Sequence, residues 1–199
     1  MNRPLILASA SPARAALLAA AGVAVSIQPA TVDEEPLKSR LRAAGRDAGD
    51  AALALATLKA VTVGESRRES LVIGADQILD CDGRWYDKPG DQGRARADLQ
   101  ALRGKMHVQA TAVCLALNGE RVWYSIARPR LHMRDFSDPW LDGYLRDAGP
   151  AILGCAGAYQ LEGIGVQLFA AIEGDYFAIL GLPMLPLLAF LRERGVLAR

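Results

Sequence analysis

The first apolar run, Leu5-Ile6-Leu7-Ala8, is too short for a long helix and predicts a buried strand. Ser9-Ala10-Ser11 interrupts it, and Pro12 to Ala21 follows as a helix. Ser11 suits the N-cap, Pro12 the first helical position, and Gly22 the stop. Val23 to Ile27 alternates loosely as a second strand, ended by Pro29. Leu37 to Gly49 is polar and basic and reads as a mobile connection or a short helix. Ala51 to Val63, rich in Ala and Leu, is a strong helix. Leu71 to Ala75 is a buried strand with Asp76 at its carboxyl end, and Ile78 to Tyr86 is a hairpin about Asp82-Gly83. Asp91 to Arg103 predicts a helix stopped by Gly104. His107 to Leu117 and Val122 to Met133 pair around Asn118-Gly119, the strongest hairpin signal in the chain. Asp138 caps a helix with Pro139 at its first position; the helix runs to about Asp147, and Gly149-Pro150 closes it. Val166 to Ile172 and Tyr176 to Leu180 read as strands, and Met184 to Arg194 as the last helix. Alternating strands and helices with two hairpins predict an α/β fold with a mixed sheet.

Length and composition narrow the picture. The 199 residues suit one large domain or two intimate lobes, and 51% hydrophobic residues allow a full core. A net charge of +1 gives no global field toward nucleic acid or an acidic membrane. The apolar runs are too short for a membrane helix, and the N-terminus lacks a signal-peptide layout. Cys81, Cys114 and Cys155 fit neither a disulfide framework nor a zinc site, so a reducing cytoplasm is expected. No P-loop or dinucleotide-binding glycine motif is present. His107 and His132 lack ligand spacing and read as structural or surface residues.

Candidate chemistry begins with Ser9, Ser11 and Arg14. A cation in the first turn of a helix opposes the helix dipole unless an anion binds beside it. The stretch is therefore a phosphate cradle or an ordinary junction with a solvated arginine. Asp33-Glu34-Glu35 is a solvated turn or a source of oxygen ligands for magnesium. Lys59 lies in an otherwise apolar helix, where it either snorkels to water or serves a site. Asp76, followed by Gln77, stands where open α/β sheets bind ligands, or else makes a local turn bond. The hairpin returns Lys88 close to Asp76.

Four fragments, in order and spanning nearly the whole chain, together resemble the Maf family of nucleoside triphosphate pyrophosphatases. They are Leu5 to Arg14; Val32-Asp33-Glu34; Ile73 to Gln77 with Asp87-Lys88-Pro89; and Cys155-Ala156-Gly157-Ala158-Tyr159 with Ile172 to Tyr176 and Gly181-Leu182-Pro183. The resemblance implies an elongated mixed sheet with flanking helices, in two lobes around a cleft, similar to inosine triphosphate pyrophosphatases. It implies one domain over 1–199 and a cytoplasmic, homodimeric hydrolase using Mg2+ or Mn2+. Such an enzyme splits a nucleoside triphosphate into monophosphate and pyrophosphate, with no nucleic acid polymer or membrane as partner. It further implies phosphate binding by Ser9, Ser11 and Arg14, catalysis by Glu34, Lys59, Asp76 and Lys88, and a metal on Glu34 and Asp76.

Some positions depart from the commonest pattern of that family. Ala13 stands where many members carry an arginine. Gln77, Cys155 and Glu162 resemble the branch acting on 7-methyl-GTP, with Gln77 and Glu162 as base-specificity residues. Ala75, Ala158-Tyr159 and Glu173 to Tyr176 look more like the branch acting on dTTP and UTP, which stands as the alternative. A nucleotide-binding regulator of septum formation, acting on an unknown division partner without significant catalysis, is a third reading.

Overall fold

Two long apolar strands carry the architecture. The computed structural model describes residues 3–198. In it β3, written here for Leu71–Cys81, pairs antiparallel with β5, Met106–Leu117, over ten residues, from Leu71 opposite Leu117 to Asp80 opposite Val108. The preceding strands are β1 (Leu5–Leu7) and β2 (Ser26–Ile27). The others are β4 (Arg84–Tyr86), β6 (Glu120–Ala127), β7 (Arg130–Met133) and β8 (Phe169–Glu173). One sheet of eight runs β2-β1-β3-β5-β7-β8, with β4 added to β3 and β6 to β5. β1 is parallel to both its neighbours and the other pairings are antiparallel. The mixed α/β sheet expected from the sequence is therefore what forms.

The helices are α1 (Pro12–Ala20), α2 (Glu35–Ala43), α3 (Ala48–Ser66), α4 (Gln92–Leu102), α5 (Asp138–Ala148), α6 (Tyr176–Ile179) and α7 (Met184–Glu193). α3 packs its small buried face, including Ala52, Ala56 and Ala60, on one side of β3 and β5. Leu18 of α1 and Leu187, Phe190 and Leu191 of α7 cover the other side near β1. α4 and α5 form a third cluster around the far ends of the long strands, with Leu79, Leu99, Leu131, Leu141 and Tyr159. The long strands thus run from one packing unit into the next.

The gap between the units lies on a single strand edge. β1 pairs with Leu71 to Ile73 of β3, and β4 pairs with Leu79 to Cys81 on that same side. Among the described residues, no strand pairs with Gly74 to Ile78 on this edge. Asp76 and Gln77 therefore sit in the middle of a strand, not at its carboxyl end. The strand that ends at the gap is β1, which stops at Leu7 while β3 continues.

Several local expectations are corrected. Tyr176 to Leu180 is helical at Tyr176–Ile179, because the Asp175 side chain accepts from the Phe177 amide at 2.9 Å and caps it. Ile164–Leu168 is a 3-10 turn, so the strand starts only at Phe169. The Val122 to Met133 run splits into β6 and β7 around Arg128-Pro129, where Pro129 cannot donate to the ladder. Ser137 rather than Asp138 caps α5, accepting from Trp140 N at 3.3 Å. The connection after Glu34 is the helix α2, and α3 starts at Ala48 because Asp47 accepts from Gly49 N and Asp50 N.

Gly74 sets the distance between β3 and α3. A Cβ there would lie 2.1 Å from the Ala56 carbonyl oxygen and 2.8 Å from the Ala60 Cβ. Backbone cannot yield as a side chain does, so Gly74→Ala should destabilise by about 2–3 kcal/mol. The urea unfolding midpoint checks this; the slope with urea should stay unchanged.

Candidate active site

The open edge of β3 borders a cleft of about 840 Å³. Ala8 N–H bonds to the Ile73 carbonyl at 2.8 Å and carries the chain away from β3 into Ser9-Ala10-Ser11. Ser11 caps α1 as expected, accepting from Arg14 N at 3.4 Å, and Ser9 Oγ accepts from Ser11 N at 3.2 Å. Arg14 is anchored by Nε donating to the Gly181 carbonyl at 2.8 Å and Nη1 donating to Ser9 Oγ at 3.1 Å. Gly181, at φ +107, brings that carbonyl in; an added Cβ would stand 3.4 Å from Arg14 Nε. Burial pulls the Arg14 guanidinium below its ordinary value, opposed by the charges of Asp76 and Glu34. The first turn of α1 holds no acid, so nothing on that helix neutralises the arginine.

Opposite this loop, Lys59 of α3 reaches two carboxylates at once. Its Nζ bonds to Asp76 Oδ2 and lies 2.9 Å from Glu34 Oε1. The lysine side chain is only 13% exposed and Asp76 is buried, so these ions interact with little screening by water. Asp76 Oδ1 accepts from the Gln77 amide at 2.6 Å, which fixes the carboxylate. Gln77 points across the other face of β3, where Nε2 donates to Thr111 Oγ1 and to the carbonyls of Ala178 and Ile179. Its amide nitrogen is thus held by α6.

The opposite wall comes from the second unit. Lys88 follows the β3–β4 hairpin and lines the cleft with Asp87. Gly157 and Ala158 both adopt positive φ, +82 and +56, and this turn swings Tyr159 beneath the cleft. Cys155 and Glu162 complete the wall. Burial pushes the Cys155 thiol up, aided by the charge of Glu162 and opposed by Gln160 and Lys88. All nine residues singled out from the sequence (Ser9, Ser11, Arg14, Glu34, Lys59, Asp76, Gln77, Lys88 and Glu162) therefore line one cleft.

The structure adds residues that the sequence did not place at the site. Lys38, one turn into α2, pairs with Asp87 across the cleft mouth, and Arg42 Nη2 approaches Asp87 at 3.8 Å. Leu37 and Leu41, four apart after Pro36, were the available sign that this basic segment is helical. Gln109 and His107 lie under the floor, both hydrogen-bonded to the Tyr159 hydroxyl, at 3.1 and 2.8 Å. No sequence signal pairs positions fifty residues apart.

Strand, serine-bearing loop, helix N-terminus and a lysine between two acids define a nucleotide-hydrolase class of cleft. The chain belongs to the family described as Maf-like protein, whose profile matches residues 4–194. It is 52% identical over 194 residues to a protein of Rhodospirillum rubrum named nucleoside triphosphate pyrophosphatase, covering 98% of this chain and 96% of that one. A Caulobacter vibrioides protein of the same name is 48% identical over 194 residues, covering 98% and 97%. A Rhizobium meliloti protein named 7-methyl-GTP pyrophosphatase is 48% identical over 197 residues, covering 99% of each. Among the described residues, no helix is long and apolar enough to cross a membrane.

His107 gives a pH signature to the cleft floor. Burial, with a smaller contribution from His132, pushes it down from 6.5 to about 4. The unfolded chain then binds the extra proton between those values, so stability rises with pH across that window. Between pH 6.5 and pH 4 the protein should lose on the order of 3 kcal/mol from this residue. His107→Gln should flatten that part of the profile in urea titrations run at stepped pH.

Proposed function

We propose that this chain is a nucleoside triphosphate pyrophosphatase, a hydrolase acting on acid anhydrides, and that its substrate is 7-methyl-GTP. The observation that carries the activity is the meeting of the Ser9–Arg14 loop with Lys59, Glu34 and Asp76 in one cleft. A triphosphate brings about four negative charges at neutral pH. Arg14 and Lys88 oppose part of them, while the charge of Lys59 is already shared by Glu34 and Asp76 and that of Lys38 by Asp87. Arg14 Nη2 has no hydrogen-bond partner among the described residues and can donate to a phosphate oxygen. Ser9 and Ser11 hold the loop in the shape that admits it.

The acids fit a magnesium or manganese ion. Glu34 and Asp76 reach the same Lys59 nitrogen, so their carboxylates lie side by side, and among the described residues Glu34 Oε2 has no partner. Among the described residues, no group of three or more His, Cys, Asp or Glu side chains gathers to hold a metal. Two carboxylates suffice for a magnesium that completes its shell with water and phosphate oxygens. Bound there, the ion would supply positive charge beside the phosphates. Lys59 orients both acids. Asp76 takes a proton from water as its oxygen bonds to the α-phosphorus. The bond from that phosphorus to the bridging oxygen breaks, and pyrophosphate leaves with the electron pair. Lys88 and Arg14 stabilise the departing charge, which is the main demand of phosphoryl chemistry.

Glu162 supports the choice of base. A carboxylate accepts from the N1–H and exocyclic amine of guanine, and it attracts the cationic ring of a 7-methylated purine. The name borne by the Rhizobium meliloti relative agrees with that choice.

A pyrophosphate-release assay with magnesium or manganese tests the reading over 7-methyl-GTP, GTP, dTTP, UTP, CTP and ITP. The expected result is preference for 7-methyl-GTP, with Asp76→Ala lowering kcat by at least about a hundredfold. Glu162→Gln should narrow the preference for 7-methyl-GTP over GTP without abolishing turnover. Preference for dTTP or UTP would keep the reaction and overturn the substrate. Binding without turnover on every nucleotide would overturn the reaction.

A further inference from the structure

The floor of the cleft holds one polar atom that the protein leaves unpaired. Among the described residues, four buried side-chain polar atoms lack a hydrogen-bond partner. They are both carboxylate oxygens of Asp98, His107 Nδ1 and Gln109 Oε1. Asp98 is offset by Arg94 and Arg84, whose nitrogens approach Oδ1 at 3.4 and 3.7 Å. His107 Nδ1 does not border the cleft, and its ring packs on Tyr159 and Phe169. Only Gln109 belongs to the cleft lining.

Gln109 is held rather than loose. It is 3% exposed. Its Nε2 donates to the Tyr159 hydroxyl at 3.1 Å, and that oxygen also meets His107 Nε2 at 2.8 Å. Buried His107 is neutral near pH 7, so its Nε2 can accept the tyrosine proton. The hydroxyl then receives the amide N–H. This chain of donors turns the amide nitrogen toward Tyr159 and leaves Oε1 without a partner. Tyr159 in turn is set by the left-handed turn at Gly157 and Ala158, where a Cβ on Gly157 would stand 2.5 Å from Leu79 Cδ1. A buried carbonyl left unpaired costs free energy unless something donates to it, and such atoms in a cleft wall invite a ligand donor.

Resting on the pyrophosphatase reading, we propose that Gln109 is a specificity-determining residue, its Oε1 accepting a ring N–H of the nucleobase. The loop of Ser9, Ser11 and Arg14 takes the phosphates, and Gln109, in the floor and bonded to Tyr159, belongs to the same cleft lining as Cys155 and Glu162. A ring N–H is carried by guanine at N1 and by uracil or thymine at N3. Adenine and cytosine lack one. Gln109 would then take the N1–H of guanine and leave the exocyclic amine to Glu162. A base without the N–H leaves the buried carbonyl unpaired, and sites built this way reject the deficient analogue strongly.

The test pairs a change in the protein with the removal of one hydrogen from the ligand. Affinities and kcat/KM are measured for 7-methyl-GTP, GTP and UTP, and for N1-methyl-GTP and N3-methyl-UTP, in the unaltered enzyme and in Gln109→Met. Unaltered enzyme should prefer GTP over N1-methyl-GTP and UTP over N3-methyl-UTP by about tenfold or more. Gln109→Met should bring both ratios to within about twofold. Gln109→Asn, too short to reach but still polar, should behave like Gln109→Met. Thermal melting of each variant reports its folding separately. Ratios that persist in both variants, or an equal loss on every nucleotide, would overturn the assignment. Calorimetric binding gives the same ratios even if no nucleotide is turned over, so failure of the reaction and failure of the contact are told apart.

Discussion

The cleft depends on one ammonium group shared by two carboxylates from different elements. Lys59 leaves an Ala-rich helix and lies between Asp76, inside a strand, and Glu34, just before α2. Each of those charges would be costly where it stands without the others, since buried ions need partners and hydrogen bonds. Held together they are fixed in place on the border of the cleft. The same contact ties α2 to the sheet. That helix has no fully buried residue of its own; it is held by Leu37 and Leu41 against the α3 core, by Glu34 at one end and by the pairing of Lys38 and Arg42 with Asp87.

The interaction is possible because the sheet is interrupted on one side only. β5 covers one edge of β3 without a break through the site, so the strand stays straight and Asp76 is rigidly placed. On the other edge β1 and β4 stop short of each other. Alternation then assigns the two sides of the gap. Asp76 faces α3 and its lysine, while Gln77, opposite Thr111, faces α6 with Gln109 and Tyr159 nearby. The Asp76–Lys59 ion pair and the polar cluster of Gln77, Thr111 and Gln109 lie on opposite faces of a single strand.

Much of this was legible in the sequence because the signals were local. Ser11-Pro12 announced a helix start, and Asp82-Gly83 and Asn118-Gly119 announced turns that form with positive φ. Arg14 in a first turn, Lys59 in an apolar helix and Asp76 directly after an apolar run each stood out as candidate chemistry. What stayed hidden depends on tertiary contacts. Nothing near Tyr176 shows that Ala178 and Ile179 must offer carbonyls to Gln77, and that requirement goes with a helical turn where alternation suggested a strand. Nothing near Lys38 reveals Asp87, forty-nine positions away. Asp76 read as a strand end because Gln77 and Asp80 break the apolar run, yet both tolerate a strand whose faces open on a cleft and on solvent.

The account stands or falls on where the water enters. Turnover of the preferred nucleotide in water enriched in the heavy oxygen isotope, with products weighed by mass spectrometry, tests this directly. Attack at the α-phosphorus predicts one heavy oxygen in the nucleoside monophosphate and none in pyrophosphate. Heavy oxygen in pyrophosphate, or labelled orthophosphate as the first product, would contradict it and place the reaction elsewhere on the triphosphate.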